Sequence, residues 1–315
     1  MSQIIQAKAP VVAVVTDFMR YVDARREVEK LVGEHGLQVA DMPLAIQAMT
    51  SNPDIRGAIR PNYFDALTGE YHGQRDNNRS YEVWHSAGSL ATADGLAQAF
   101  RNLEKYGFMK LDEDGKEWLA VGTGSYQNRD VARVNLEDLR KGNVPNPGTP
   151  YTVFTLLDED KPNINPSGQL DYDHFMKDDR VLMLTGSPDN QAILAKMLFG
   201  AKQDGGEGRD TIGSYHRIND VSFDSPARGR LVYLYFSLSG LHGNDNFNLI
   251  GRFFGVGDGV ASISVSAEGA TLEKGVPKSV VRATLEETLT FINDPDLNRE
   301  DMVAAVTEQL EPYKR

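Results

Sequence analysis

The sequence predicts an α+β protein in which helices at both ends flank a mainly antiparallel sheet. Strand-like runs that alternate apolar and polar residues lie between 230 and 267, and apolar residues at helical spacing lie towards both termini. Breaks of Gly, Asn and Asp separate the strand-like runs, and these residues favour short turns. We therefore expect a C-terminal β-meander over about 230–267.

The first part of the chain predicts two helices and a polar segment. A helix is expected over 11–32, and a second, shorter helix is opened by Asp41 and Pro43. The segment 60–80 is polar and has little apolar patterning. It predicts a long arm-like loop or an extended hairpin, which in either form could embrace a partner.

A capped helix and a possible boundary follow. Thr92 is expected to cap a helix that ends at Gly107, and a hairpin is expected over 108–121. The proline-rich stretch 143–150 is the best internal boundary. We expect an N-terminal helical region with the arm and the hairpin over 1–145 and a β-rich domain over 146–315, or else one continuous domain.

The second half predicts strands and three more helices. Strands are expected over 151–157 and 180–185, and a helix is expected to start at the N-cap Ser187. Two further helices are expected over 277–294 and 298–310.

Composition excludes several classes of protein. The 315 residues carry a formal net charge of −12, which disfavours nucleic-acid binding and docking on an anionic membrane. The absence of cysteine excludes disulfides, thiolate catalysis and Cys-ligated metals. Neither a signal peptide nor a membrane-spanning run is recognisable, so we expect a cytoplasmic protein, of a cell or of an infected host.

Two groups of residues could perform acid–base chemistry. Asp171, Asp173 and His174 are close in sequence, and His242 and Asp245 lie at the tip of the predicted meander. Together they support an alternative function, a hydrolase or transferase acting on a small phosphate- or sugar-containing substrate. Solvated surface carboxylates and ordinary turn residues explain both groups more simply. No metal site and no cofactor are predicted.

The step into the helix after Thr185 is a candidate anion site. Gly186 and Ser187 would direct backbone N–H groups and the positive end of the helix dipole at one point. The motif lacks the glycines and lysine of a phosphate-binding loop, and an ordinary helix cap is the favoured interpretation.

Aromatic residues give two candidate contact surfaces. Tyr81 and Trp84 could form a recognition patch, or they could anchor the neighbouring polar segment to the core. Tyr233, Tyr235 and Ser237 fall on one uncharged face of the meander. We expect that face to be covered by protein.

The function these features favour is that of a structural subunit in a homo-oligomeric assembly, such as the capsid or tail of a bacteriophage virion. Sheet faces and extended arms are surfaces through which symmetric subunits bury one another. The expected partners are copies of the chain itself and other assembly proteins. The function would involve neither sequence-specific nucleic-acid binding nor a membrane.

Overall fold

The structure is a computed structural model. It describes residues 3–5, 12–35, 37–51, 63–106, 109–110, 116–126, 129–145, 149–165, 169–203, 213–214, 223, 228–237, 246–252 and 259–266. All of them belong to one compact unit, Ser2–Thr271. The helices expected over 277–294 and 298–310 lie outside the described residues. The boundary expected at 145/146 stays a prediction.

The strands are short except near the centre of the sheet. In chain order they are β1 (Gln3–Ile5), β2 (Val12–Arg20), β3 (Leu37–Val39), β4 (Tyr63–Arg75), β5 (Asn78–His85), β6 (Met109–Lys110), β7 (Ser125–Tyr126), β8 (Arg129–Asp130), β9 (Ala132–Asn135), β10 (Tyr151–Leu156), β11 (Gln169–Leu170), β12 (Gly213–Ser214), β13 (Arg228–Ser237), β14 (Asn246–Arg252) and β15 (Gly259–Ser266).

The helices are distributed between the strands. They are α1 (Tyr21–His35), α2 (Met42–Ser51), α3 (Ala93–Tyr106), α4 (Lys116–Gly122), α5 (Leu136–Arg140), α6 (Leu157–Asp160), α7 (Tyr172–Lys177), α8 (Asp179–Thr185) and α9 (Pro188–Gln203), with a 3-10 turn at Ser89–Ala91 before α3.

One large mixed sheet organises the described part of the chain. Its strands follow the order β1-β2-β15-β4-β13-β14-β12-β11, and β5, β10 and β9 extend it from β4. The pairs β9–β10, β12–β14 and β4–β15 are parallel. Helices and a mixed sheet make this part α+β, as predicted, but the sheet is mixed and not mainly antiparallel.

The three strands of the predicted meander form, yet they do not make a meander. β13 pairs with β14 in antiparallel register. β15 instead pairs with β2, β3 and β4. Alternation of apolar and polar residues locates a strand but does not determine which strand pairs with it. The prediction that β14 and β15 are neighbours was therefore wrong.

From Tyr63 onward, the polar segment 60–80 takes the second predicted form, an extended hairpin. β4 and β5 pair in antiparallel register from Thr68↔His85 to Arg75↔Asn78. Asp76 and Asn77 form the turn with φ of 49° and 66°, the left-handed conformation that two-residue hairpin turns require. The hairpin lies inside the sheet, where β4 also pairs with β13, and is not a protruding arm.

Three other local predictions need correction. Val12–Arg20 is a strand, because its β-branched residues favour extended backbone, and the helix begins only at Tyr21. Lys116–Gly122 is a helix instead of the second strand of a hairpin. Asp179–Thr185 is a helix, capped at its start by the Asp178 side chain.

The core lies where helices α2, α8 and α9 cover strands β5 and β10. Its members are apolar residues with little or no exposed surface, including Ile46, Val83, Val153, Met183 and Leu194. The predicted caps hold two of the helices in place. Thr92 Oγ1 accepts from Gly95 N, and Ser187 Oγ accepts from Asn190 N.

Candidate functional site

A small pocket opens where the start of α2 meets the junction between α8 and α9. Its volume is about 100 Å³. The polar part of its wall is formed by Asp41, Gln47, Tyr151, Ser187 and Asn190. The first residue of β10 and the cap residues of two helices are therefore brought to one place from distant parts of the chain.

Asp41 is the acidic group of the pocket. It precedes α2 and caps it, because Oδ1 accepts from Leu44 N at 3.0 Å, while Oδ2 accepts from the Ser86 hydroxyl at 3.0 Å. Only 4% of Asp41 is exposed. Burial raises the pKa of its carboxyl from 3.8 to about 6. The hydrogen bonds to the carboxyl favour its charged form and oppose this rise only in part.

Ser86 reaches Asp41 from an unusual backbone conformation. It follows β5 and has a φ of 54°, in the left-handed region that non-glycine residues seldom adopt. Its N–H donates to Leu67 O at 2.7 Å, which fixes this turn against the strand β4. The strained turn thus places the Ser86 hydroxyl within hydrogen-bond distance of the buried Asp41 carboxylate.

Tyr151 forms the opposite wall. Its ring stacks on His85 with centroids 4.5 Å apart, and its hydroxyl lies over Gly186. Burial and the nearby charge of Asp41 raise the pKa of the Tyr151 hydroxyl well above its usual value, so the phenol is neutral at physiological pH. Within the part of the chain that the structure describes, this hydroxyl has no hydrogen-bond partner.

His85 supports the pocket from behind. Its Nε2 lies 2.9 Å from Met183 O, which can only accept, so Nε2 carries the proton and Nδ1 accepts from the Thr68 hydroxyl at 3.0 Å. Thr68 Oγ1 in turn accepts from Met42 N at 2.9 Å. Burial lowers the pKa of His85 from 6.5 to about 4, so the imidazole is a neutral structural group.

The predicted anion site, Gly186 and Ser187, lies in this pocket. Gly186 ends α8 with a φ of 75°. The Ser187 hydroxyl oxygen already accepts a hydrogen bond from Asn190 N as the N-cap of α9. Because the carboxyl of Asp41 shares the same pocket, the local charge disfavours an anion and favours a cation.

Asp171, Asp173 and His174 lie at the start of α7, on the surface. Asp171 caps this helix by accepting from His174 N at 2.9 Å, and Nδ1 of His174 lies 2.7 Å from the same oxygen. The Asp171 and His174 side chains are 61% and 62% exposed. The hydrogen bonds from His174, that of its backbone first, lower the pKa of Asp171.

No group of His, Asp and Glu suited to a metal ion occurs among the described residues. His242 and Asp245 lie outside those residues. Their acid–base role under the alternative function stays a prediction.

Tyr81 and Trp84 are core residues. Tyr81 donates to Glu70 at 2.7 Å and Trp84 Nε1 to Glu82 at 2.8 Å, and both side chains are buried. The anchoring interpretation therefore describes them, and neither is exposed to a partner. Tyr233, Tyr235 and Ser237 lie on β13, between β4 and β14.

Sequence reasoning missed Asp41, Ser86 and Tyr151 as site residues. Asp41 was recognised only as a helix start, and the other two carry no motif. The one signal in the sequence was Asp41 itself, because a capping carboxylate beside an apolar helix can be buried. That Ser86 and Tyr151 meet it depends on strand pairing.

Comparisons with known proteins leave the family open. No protein-family model matches the chain, and no curated protein matches it. A solved structure described as "Accommodation of massive sequence variation in Nanoarchaeota by the C-type lectin fold" is similar at 15% identity and a TM-score of 0.49, over 84% of this chain and 97% of that one. A similarity this distant says nothing about activity or ligands. Among the described residues, no helix is long and apolar enough to cross a membrane.

Proposed function

We propose that the chain is a structural subunit of a homo-oligomeric assembly that associates through the face of the sheet carrying Tyr233, Tyr235 and Ser237. The observation that carries this proposal is the register of the strands around β13. Tyr233 is opposite Ile250, Tyr235 is opposite Asn248, and Ser237 is opposite Asn246.

The same face continues onto β4. There Tyr233 is opposite Asp65 and Tyr235 is opposite Tyr63. Residues directly opposite each other in antiparallel strands share one face of a sheet. The Tyr/Ser face defined by the sequence thus extends over three adjacent strands and is rich in Tyr, Asn and Ser, with one charged residue, Asp65, among the residues opposite β13.

This composition suits a protein contact. Tyr supplies a large apolar area together with a hydroxyl, and aromatic residues are enriched at interfaces from which most charges are absent. A sheet face repeated in each subunit lets identical chains associate by symmetry. The net charge of −12 suits a bacteriophage capsid or tail, because such a wall would not adhere to the nucleic acid it encloses.

Light scattering at micromolar concentration tests this proposal. The 34.8 kDa chain should form a species of several times that mass. Asn248→Arg adds a charge to the proposed face and should reduce the mass towards that of a monomer. Ala192→Arg, at an exposed position on α9, is the matched control and should leave the mass unchanged.

Circular dichroism and thermal unfolding of Asn248→Arg would distinguish lost association from lost folding. A folded wild-type chain that stays monomeric under conditions permitting assembly would contradict the proposal. An assembled Asn248→Arg variant would show that the interface lies elsewhere.

One observation favours the alternative, a hydrolase or transferase acting on a small phosphate or sugar substrate. Asp171 orients the imidazole of His174, as a carboxylate orients a general base, and Nε2 of His174 has no partner among the described residues. The test is hydrolysis of aryl phosphates and aryl glycosides by the wild type and by His174→Asn. Equal rates for both proteins would remove this candidate.

A further inference from the structure

We propose that the pocket at Asp41 binds a primary ammonium group carried on an unbranched aliphatic chain. This site is separate from the Tyr/Ser face, and the inference does not rest on the proposed assembly. Four features of the pocket carry it: an uncompensated carboxyl, further hydrogen-bond acceptors, apolar walls and size.

The carboxyl of Asp41 lacks the cation that three other buried carboxylates among the described residues have. Glu70 pairs with Arg180, Glu82 with Arg75, and Asp179 with Arg140. Within the described residues, Asp41 forms no ion pair. Its hydrogen bonds come only from a backbone N–H and a hydroxyl. A buried carboxylate without a cation is costly, and a bound cation removes that cost.

Acceptors are available for an ammonium group, which has three donors. A carboxylate has about four lone-pair positions, so Asp41 can accept further bonds beyond the two it makes. The Tyr151 hydroxyl oxygen is free to accept, and its side chain is only 6% exposed. The amide nitrogen of Asn190 donates to Thr185 O at 3.0 Å, which leaves the amide oxygen as a third acceptor.

The rest of the wall suits an aliphatic chain. Pro43, Leu44, Val144 and Pro145 line the pocket, and Val144 is an exposed apolar side chain at its edge. Contact with these side chains would remove methylene groups from water. The pocket is several times larger than the ~10–15 Å³ that a single water requires, so it has room for a short chain.

Other ligand classes fit less well. An anion would meet the carboxyl of Asp41 at close range. A divalent metal ion needs several anionic or carbonyl ligands, and the pocket offers one carboxylate.

The test uses n-butylammonium chloride as the probe and ligand-observed NMR titration of the full chain at pH 8. We expect saturable binding of n-butylammonium and at least tenfold weaker binding of 1-butanol, which has the same chain without the charge. Asp41→Asn keeps a good N-cap for α2 and removes the charge, so it should weaken n-butylammonium binding about tenfold or more. Asp158→Asn, at an exposed carboxylate outside the pocket, should bind like the wild type.

Two results would overturn the proposal. One is equal binding of n-butylammonium to the wild type and to a folded Asp41→Asn variant. The other is equal binding of n-butylammonium and 1-butanol. Tyr151→Phe keeps the ring stacked on His85 and removes one acceptor, so it should weaken binding several-fold and provides a second variant should Asp41→Asn fail to fold.

The ammonium could belong to a free amine or to a lysine side chain of a second copy of the chain. If a lysine of another copy occupies the pocket, n-butylammonium and Asp41→Asn should both lower the mass measured by light scattering. If the natural ligand is a free amine, neither should change it. Both results support the site and differ only in the source of the ammonium.

Discussion

Arg180 binds Glu70 through two hydrogen bonds, although 110 positions separate them. Nε lies 2.6 Å from Oε1 and Nη2 lies 2.8 Å from Oε2. The side chains are 2% and 0% exposed. The pair joins helix α8 to strand β4, and the Tyr81 hydroxyl donates to the same carboxylate. Burial alone would lower the pKa of Arg180, but the Glu70 charge and the contacts with Tyr81 raise it overall, so the guanidinium stays charged.

Replacing Arg180 should destabilise the protein strongly. Arg180→Met leaves the Glu70 carboxylate buried without this cation, and we expect the free energy of unfolding to fall by about 3–5 kcal/mol. The measurement is urea-induced unfolding followed by circular dichroism. Glu70→Leu with Arg180→Met leaves no buried charge at either position and should recover much of that loss.

The exposed pair of Arg79 and Asp158 provides the control. Their side chains are 53% and 48% exposed, and water screens such pairs effectively. Arg79→Ala should give no measurable change in unfolding. An Arg180→Met protein as stable as the Arg79→Ala protein would contradict the structural role of the buried pair.

The sequence predicts local elements well where caps mark them. Thr92 and Ser187 begin α3 and α9 as expected, because a capping side chain acts on backbone groups a few residues away. The segment 180–185 shows the limit of this reasoning. A short apolar run fits a buried strand or a buried helix equally well, and the Asp178 cap decides for the helix.

The sequence could not predict the partners of the strands or of the pocket residues. β15 pairs with β2 and β4 instead of β14, and this choice depends on contacts between distant parts of the chain. The pocket likewise assembles Asp41 and Tyr151 from segments more than a hundred positions apart. Tyr151 carries no local signature, and Asp41 is recognisable in the sequence only as the start of a helix, because the pocket exists only once the sheet has formed.

Asp41 should make the protein less stable as pH rises from about 4 to 6. The pKa of its carboxyl is 3.8 in its usual state and about 6 in the folded chain. Between these values the folded state holds a proton that the unfolded state has lost, so raising the pH favours unfolding. The stabilisation is complete below pH 3.8 and is lost as the pH passes 6. Asp41→Asn should remove this contribution, as urea unfolding at a series of pH values would detect.

His85 should have the opposite effect over an overlapping pH range. Its pKa falls from 6.5 to about 4 in the folded chain, so between these values the unfolded state binds a proton that the folded state does not. Its contribution to stability is present above pH 6.5 and is lost as the pH falls towards 4.

The matched variant pair separates the two groups. Relative to the wild type, the stability of Asp41→Asn should rise more steeply with pH between 4 and 6, and that of His85→Gln should rise less steeply or fall. Parallel pH profiles for the two variants would show that neither group titrates as its environment implies.

Gly186 and Gly142 should differ sharply in their tolerance of a methyl group, although their backbones are alike. Their φ values are 75° and 77°, and an L-residue in this conformation costs roughly 1–2 kcal/mol. A Cβ at Gly142 would have no heavy atom within 4 Å. A Cβ at Gly186 would clash with the Tyr151 hydroxyl oxygen and lie 2.5 Å from Cγ of Pro43.

In Gly142→Ala the free energy of unfolding should therefore fall only by the backbone cost. In Gly186→Ala it should fall by at least ~1 kcal/mol more, because crowding a packed site adds a similar amount again. Urea unfolding of the two variants measures the difference directly, since the shared backbone term cancels. The same Gly186→Ala protein should bind n-butylammonium more weakly, because the methyl group displaces the Tyr151 hydroxyl from the pocket. Equal stability of the two variants would mean that Tyr151 does not lie over Gly186 and does not form this wall of the pocket.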